Sequence, residues 1–189
     1  IRRPPRSTLS SSSAASDVYK RQLHDLLLNL AVDLMLRSSD LLSLRVKDVM
    51  NENGSVKKEV KVKQKKTGKT TLNIPLSKNS IDVIKKHLVD KEQEDYIFKG
   101  QMGHFMRKPI CSQQYARIVK GWMKKLGVED VSEYSTHSMR KTKPSVIYEK
   151  THNVDAVRRL LGQSSVTATS AYLGVSDNSA LELARSINV

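Results

Sequence analysis

Two side chains one helical turn apart offer the first chemistry. His137 and Arg140 stand three residues apart in His137-Ser138-Met139-Arg140. On a helix that spacing puts an imidazole, which titrates near neutrality, and a permanently charged planar fork on one face, where both can address a single phosphate. Three lysines, Lys65, Lys66 and Lys69, crowd the stretch around Thr67-Gly68. Composition does not choose among them. Cys111 is the only cysteine of 189 residues, so no internal disulfide forms. With no CxxC and no paired-histidine spacing, no metal site is expected, and zinc-finger readers and disulfide-stapled secreted modules are set aside. Lys and Arg number 33 against 19 Asp and Glu, a formal charge of +14, and such an excess points to a polyanionic partner. No run approaches the ~18 consecutive apolar residues of a membrane span.

The elements that must position these groups follow from periodicity. Leu26, Leu27, Leu30, Ala31 and Leu34 recur at helical spacing and predict an amphipathic helix to about Leu36. Ser38-Ser39-Asp40 reads as an N-cap for a second helix, leaving Arg37 at the junction. From Ser55 to Leu76 the pattern alternates and predicts a β-hairpin turning at Lys66-Thr67-Gly68-Lys69. Val56, Val60 and Val62 share one parity and Lys57, Lys61, Lys63 and Lys65 the other, with Leu72, Ile74 and Leu76 alternating after the turn. Lys66 has the parity of the valines and is expected on the face they bury. Further helices are predicted over Ser77–Val89, from a Ser112 cap to Gly127, and over about Ser138–Lys150, Val154–Leu161 and Val166–Leu173. The stripe Tyr115, Ile118, Val119, Trp122, Met123, Leu126 reads as core. Pro144 inside the Arg140 helix is expected to kink or delay it. The architecture is mainly α with a small antiparallel β-sheet, an α+β class.

Residues 1 to 22 differ in kind, with six serines, two prolines and five basic residues and no apolar periodicity. They predict a disordered tail, and the segment resembles a translated sequencing adapter; a genuine basic arm and a targeting segment are the other readings. Without it the charge is 28 − 18 = +10, so the polyanion inference stands.

Taken in order, Leu36-Arg37-Ser38-Ser39-Asp40-Leu41-Leu42-Ser43-Leu44, the Lys66-Thr67-Gly68 hairpin, His137-Ser138-Met139-Arg140, and Leu160-Leu161-Gly162-Gln163 followed nine residues later by Tyr172 resemble the boxes of the tyrosine recombinase (phage integrase) catalytic domain. The resemblance covers nearly all of residues 23 to 180. It implies that family's catalytic-domain fold and site-specific DNA recombination or integration without metal or other cofactor. A tyrosine attacks a phosphodiester, leaving a 3′-phosphotyrosyl link and a free 5′-hydroxyl. Carried over, Tyr172 is the nucleophile, Arg37 and Arg140 clamp the phosphate, His137 accepts a proton or donates to the phosphate, and Lys66 is the acid for the leaving oxygen. Such a displacement builds charge on non-bridging oxygens, which fixed cations and donors stabilise. Lys65 and Lys69, with Lys57, Lys58, Lys61, Lys63, Lys124 and Lys125, would meet the DNA backbone. The implied partners are double-stranded DNA and other copies in a synaptic tetramer, and the implied setting is bacterial or phage-encoded, cytoplasmic and nucleoid-associated.

Gln163 departs from the pattern, standing where the family usually has histidine or sometimes tryptophan; it keeps an N–H donor but cannot be protonated. Members usually carry an N-terminal DNA-clamping domain, and only the adapter-like stretch precedes Leu23, so a fragment is expected: residues 23–189 as catalytic domain behind a 1–22 tail. Two rival functions stay open, a catalytically degenerate DNA-binding remnant and a type IB topoisomerase-like activity.

Overall fold

A computed structural model describes residues 9–100 and 107–174 with positions 181 and 185, and side chains from residue 16 onward. Helix α1 (Leu9–Leu34) is followed by two short helices, α2 (Ser38–Leu42) and α3 (Val46–Val49), and by the paired strands β1 (Glu59–Val60) and β2 (Ile74–Pro75). Then come α4 (Lys78–Leu88), α5 (Ser112–Lys125), α6 (Thr136–Thr151), α7 (Val154–Leu161) and α8 (Val166–Leu173). The strands are antiparallel, with Glu59 opposite Pro75 and Val60 opposite Ile74.

α1 is the central post. Leu27, Leu30 and Leu34 are fully buried, and the helix packs against α4 and α6. Truncating such a leucine to alanine costs about 2–5 kcal/mol. Because packing has already nucleated α1, extending it costs little per residue. The helix therefore continues back to Leu9, where the sequence predicts disorder. Half-buried Tyr19 joins the core, and its hydroxyl donates to the Lys99 carbonyl at 2.6 Å. Residues 9 to 22 thus depart from the expected tail, while residues 1 to 8 lie outside the described residues. Among the described residues no helix is long and apolar enough to cross a membrane.

The hairpin differs in detail from the alternation. Val60 is buried, Val56 and Val62 are half-buried and the odd lysines from Lys61 to Lys65 are exposed, as parity demands. Alternation stops at Gln64, because the Gly68 amide donates to the Gln64 carbonyl and the Gln64 amide to the Lys69 carbonyl, closing the turn there. Gln64 is therefore the last residue buried on the valine face, and Lys66 stands exposed in the loop. Past the turn Thr71 is buried and Leu72 is half exposed, before parity resumes at Ile74 and Leu76.

Three caps and ends also shift. Ser112 is the first residue of α5 and Cys111 its cap, while Leu126, just past the helix, is largely exposed. α6 starts two residues before the predicted Ser138, on a Ser135 cap whose amide is met by the Ser138 hydroxyl. It continues through Pro144, which is buried. Lacking an N–H, Pro144 has no bond to offer the carbonyl of Arg140 four residues earlier.

Candidate active site

Arg37 is the N-cap of α2. α1 is followed by Met35, which takes a left-handed φ of 53° with its side chain buried. A non-glycine residue there carries about 1–3 kcal/mol of strain. The turn delivers Arg37 to the hairpin, where its Nη1 donates to Gln64 Oε1 at 2.6 Å. Asp40, which the sequence places in the cap, lies inside α2 and is 1% exposed. Its Oδ1 accepts the Lys65 backbone amide at 2.9 Å, tying the hairpin turn to α2.

Arg140 approaches the same place from α6. It is 5% exposed, and its Nη2 donates to the Leu161 carbonyl at 3.0 Å. That carbonyl lies in the last turn of α7, where helix geometry leaves acceptors without helical partners. Burial first, and then the nearby Arg37 charge, lowers the Arg140 pKa, against opposing pulls from Tyr172 and Asp40. Tyr172 comes from α8, which packs against α6 and α7. Burial raises its phenol above the ordinary value, while the Arg140 and Arg37 charges pull it back down. Arg37, Arg140 and Tyr172 therefore share one electrostatic neighbourhood. The Lys141 ammonium also stands 5.8 Å from the centre of the Tyr172 ring.

Four buried side-chain polar atoms lack a hydrogen bond among the described residues, and three of them belong here: Asp40 Oδ2, Arg140 Nε and Tyr172 Oη. The fourth is His87 Nδ1. Buried polar atoms without a partner are few in a folded domain, and here three of the four gather at one place.

Beside them is a notch lined by Arg37, Thr67, Lys69, Gly162, Gln163 and Ser165. Gln163 follows Gly162, whose φ of +66° caps α7 in the left-handed conformation. Its Oε1 accepts from Thr169 Oγ1 at 2.6 Å, so the amide turns its acceptor to α8 and keeps its N–H₂ donors for a ligand. Lys69 lines the notch and Lys65 does not, although both are exposed. Lys66 and His137 are exposed as well, and neither the Lys66 ammonium nor the His137 ring makes a hydrogen bond among the described residues. Of the sequence-predicted residues, Arg37, Arg140, Tyr172 and Gln163 come together; Lys66 and His137 are exposed to solvent and do not line the notch.

Two residues escape a reading by motif. Gln64 carries the valine parity in a lysine-rich strand, and that parity is the signal that finds it. Asp40 looks like an acid placed for the helix dipole. Its burial reveals its second task.

The sequence pattern of the Phage integrase family matches residues 10–179. A probable integrase/recombinase, YoeC, of Bacillus subtilis is 30% identical over 147 residues, covering 78% of this chain and 75% of that protein. A tyrosine recombinase of Pseudothermotoga lettingae is 29% identical over 84% of this chain and 51% of its own length. Among solved structures, the XerH site-specific recombinase bound to its difH substrate in a pre-cleavage complex superposes with a TM-score of 0.66 at 22% identity, over 88% of this chain and 47% of that one. The XerA recombinase gives 0.66 at 17% identity, over 95% and 64%. The chain thus spans about half the length of the Pseudothermotoga and XerH proteins. With its fold shared at these distances and the family pattern matched over almost its whole length, the chain belongs to the phage integrase family of tyrosine recombinases.

Proposed function

We propose that residues 23–189 form a catalytic domain that cuts and rejoins double-stranded DNA through a phosphotyrosyl intermediate, as site-specific recombination requires. The observation that carries this reading is the grouping of two arginines with a buried, unpartnered tyrosine hydroxyl and an unpartnered guanidinium N–H. Tyr172 Oη bonds to phosphorus, the bond from phosphorus to the 5′-oxygen breaks, and a 3′-phosphotyrosyl link remains. Arg37 and Arg140 carry the charge that develops on the non-bridging oxygens, with the Gln163 amide as a further donor. The phenol proton passes to His137 or to water, and Lys66 supplies the proton for the leaving 5′-oxygen. Both are exposed, and a docked duplex would cover them. Lys65 and Lys69 neutralise flanking phosphates, and assembly of several copies on DNA would bring partner strands within reach.

Covalent trapping on a nicked suicide duplex tests this. The wild-type chain forms a protein–DNA adduct that survives chelation of divalent ions, and Tyr172→Phe forms none. Binding without any adduct, at high protein and low salt, identifies a DNA-binding remnant instead. Relaxation of supercoils without exchange identifies a topoisomerase.

A further inference from the structure

Arg37 and Arg140 are like charges in one neighbourhood: burial first, and then the Arg37 charge, lowers the Arg140 pKa. Arg37 is only half-buried. Left alone, its guanidinium would gain by swinging into water. One side chain opposes that. Gln64 is 3% exposed, and its amide is engaged at both ends. Oε1 accepts from Arg37 Nη1 at 2.6 Å and from Thr67 Oγ1 at 3.1 Å. Nε2 donates to the Leu161 carbonyl at a long 3.4 Å. That carbonyl is the one that receives Arg140 Nη2. Both arginines therefore hang from a single backbone oxygen, Arg140 directly and Arg37 through the glutamine. The fit is close: a β-carbon at position 162 would lie 2.8 Å from Gln64 Nε2, so only glycine leaves the amide its place.

We propose that Gln64 is a positioning residue that fixes the Arg37 guanidinium relative to Arg140 by bridging it to the Leu161 carbonyl. Its chemistry suits the task as few others do. An amide offers an acceptor and a donor at opposite corners of one plane. It is also uncharged, so it holds the guanidinium without cancelling the charge a phosphate needs. A carboxylate in its place would keep the acceptor, lose the donor and neutralise the cation. A methionine would keep the volume and lose both bonds. The proposal rests on the recombinase reading for its catalytic consequence, but its geometric content can be measured without catalysis.

Two substitutions and two readouts decide it. In Gln64→Met, single-turnover cleavage of a nicked suicide duplex falls about 10²-fold, as for an ångström-scale misplacement, while Kd for that duplex stays within about threefold. In Gln64→Glu cleavage falls further, because the charge of Arg37 is cancelled as well. The Arg37 Nε–H resonance, assigned by its loss in Arg37→Lys, changes from restricted to mobile in Gln64→Met. Where Gln64→Met fails to fold, Gln64→Glu is judged on cleavage against Kd. A pure filling role leaves cleavage by Gln64→Met within about threefold of wild type, as for a volume-conserving swap. That result, or an Arg37 resonance unchanged in Gln64→Met, overturns the proposal. If the wild type forms no adduct, the recombinase reading fails, and the Arg37 resonance still decides for or against Gln64.

Discussion

Two pairs of arginines meet the C-terminal end of α7 and are held in opposite ways. Arg158 and Arg159 each place Nε 2.7 Å from a carboxylate oxygen of Asp155, whose pKa is lowered by its hydrogen bonds to Arg158 and then Arg159. Arg37 and Arg140 make no ion pair with a carboxylate among the described residues; their recorded acceptors are a neutral amide and a backbone carbonyl. The first arrangement gives both cations a carboxylate partner and cancels one of their two charges. The second satisfies the cation geometry and leaves the charge free. An exposed arginine is cheap to pair, whereas a buried one without a counter-ion carries a desolvation cost that structure alone does not offset. That cost is tolerable where a phosphate will arrive to balance it.

The sharpest way to break this contrast is to remove one arginine of each kind. Arg140→Ala should lower adduct formation by about 10³-fold or more, about 4 kcal/mol of barrier, since it deletes a charged donor where charge develops. Thermal unfolding of the same variant separates loss of chemistry from loss of fold. A drop of less than tenfold in a folded Arg140→Ala would remove Arg140 from the site.

Much of this was legible from spacing. The bounds of α7 and α8 are those the apolar pattern predicts, flanked by Asn153 and Gly162 and by Ser165 and Gly174, because short helices between strong caps have few alternatives. Arg37 at a helix junction and the core role of Tyr115, which is 1% exposed, follow the same logic. What spacing could not give was set by tertiary contacts. Parity predicts a buried Lys66 only if the strand runs on, and the turn closes two residues sooner. Helix α1 extends through a serine-rich stretch because its apolar half is already packed. Asp33 sits on the buried face beside Leu30 and Leu34, and its lysine partner lies 110 positions away on α6, so no local pattern announces the pair.

That pair carries the next prediction, a cation held by a carboxylate in the interior. Asp33 is 4% exposed and accepts from Lys143 and from the Ser77 amide at the cap of α4. Burial alone would raise its pKa, but Lys143, the Ser77 amide and the Ser80 and Ser77 hydroxyls outweigh burial and lower it. A folded pKa below the unfolded one contributes stability above about pH 4 that is lost as pH falls through the folded value. Lys143→Met should destabilise the protein by about 2–3 kcal/mol at neutral pH, under the full range for a buried pair because 30% of the lysine side chain is exposed. Asp33→Asn should flatten the acid limb of the stability curve. Denaturant midpoints across pH measure both, and an unchanged acid limb would count against the pair.

Gln163 sharpens the comparison from the neutral side. Its Oε1 is committed to Thr169 Oγ1, so its donors are what it can offer a phosphate. Gln163→Ala should slow cleavage by about 10²-fold, as for one lost oxyanion donor. Gln163→His, which restores the usual family residue, should change it by less than about tenfold. An Ala variant equal to wild type places Gln163 outside the chemistry. A gain of orders of magnitude from histidine means that a protonatable group is required and that this chain has lost activity at that position.

The smallest effect belongs to the arginine that is already paired. Arg159 keeps 67% of its side chain exposed and shares Asp155 with Arg158, so Arg159→Ala leaves the carboxylate its second partner and buries no orphan. Exposed pairs of this kind contribute about 0–1 kcal/mol. Adduct formation should stay within about threefold of wild type and unfolding stability within about 0.5 kcal/mol. The informative comparison is between salts. Raising ionic strength should erase what little Arg159→Ala costs, because its pairing is solvent-screened, while leaving the Arg140→Ala deficit in cleavage of pre-bound duplex intact. Equal salt sensitivity in the two variants would mean that both arginines act as surface charges, and the distinction between paired and unpaired cations would fall.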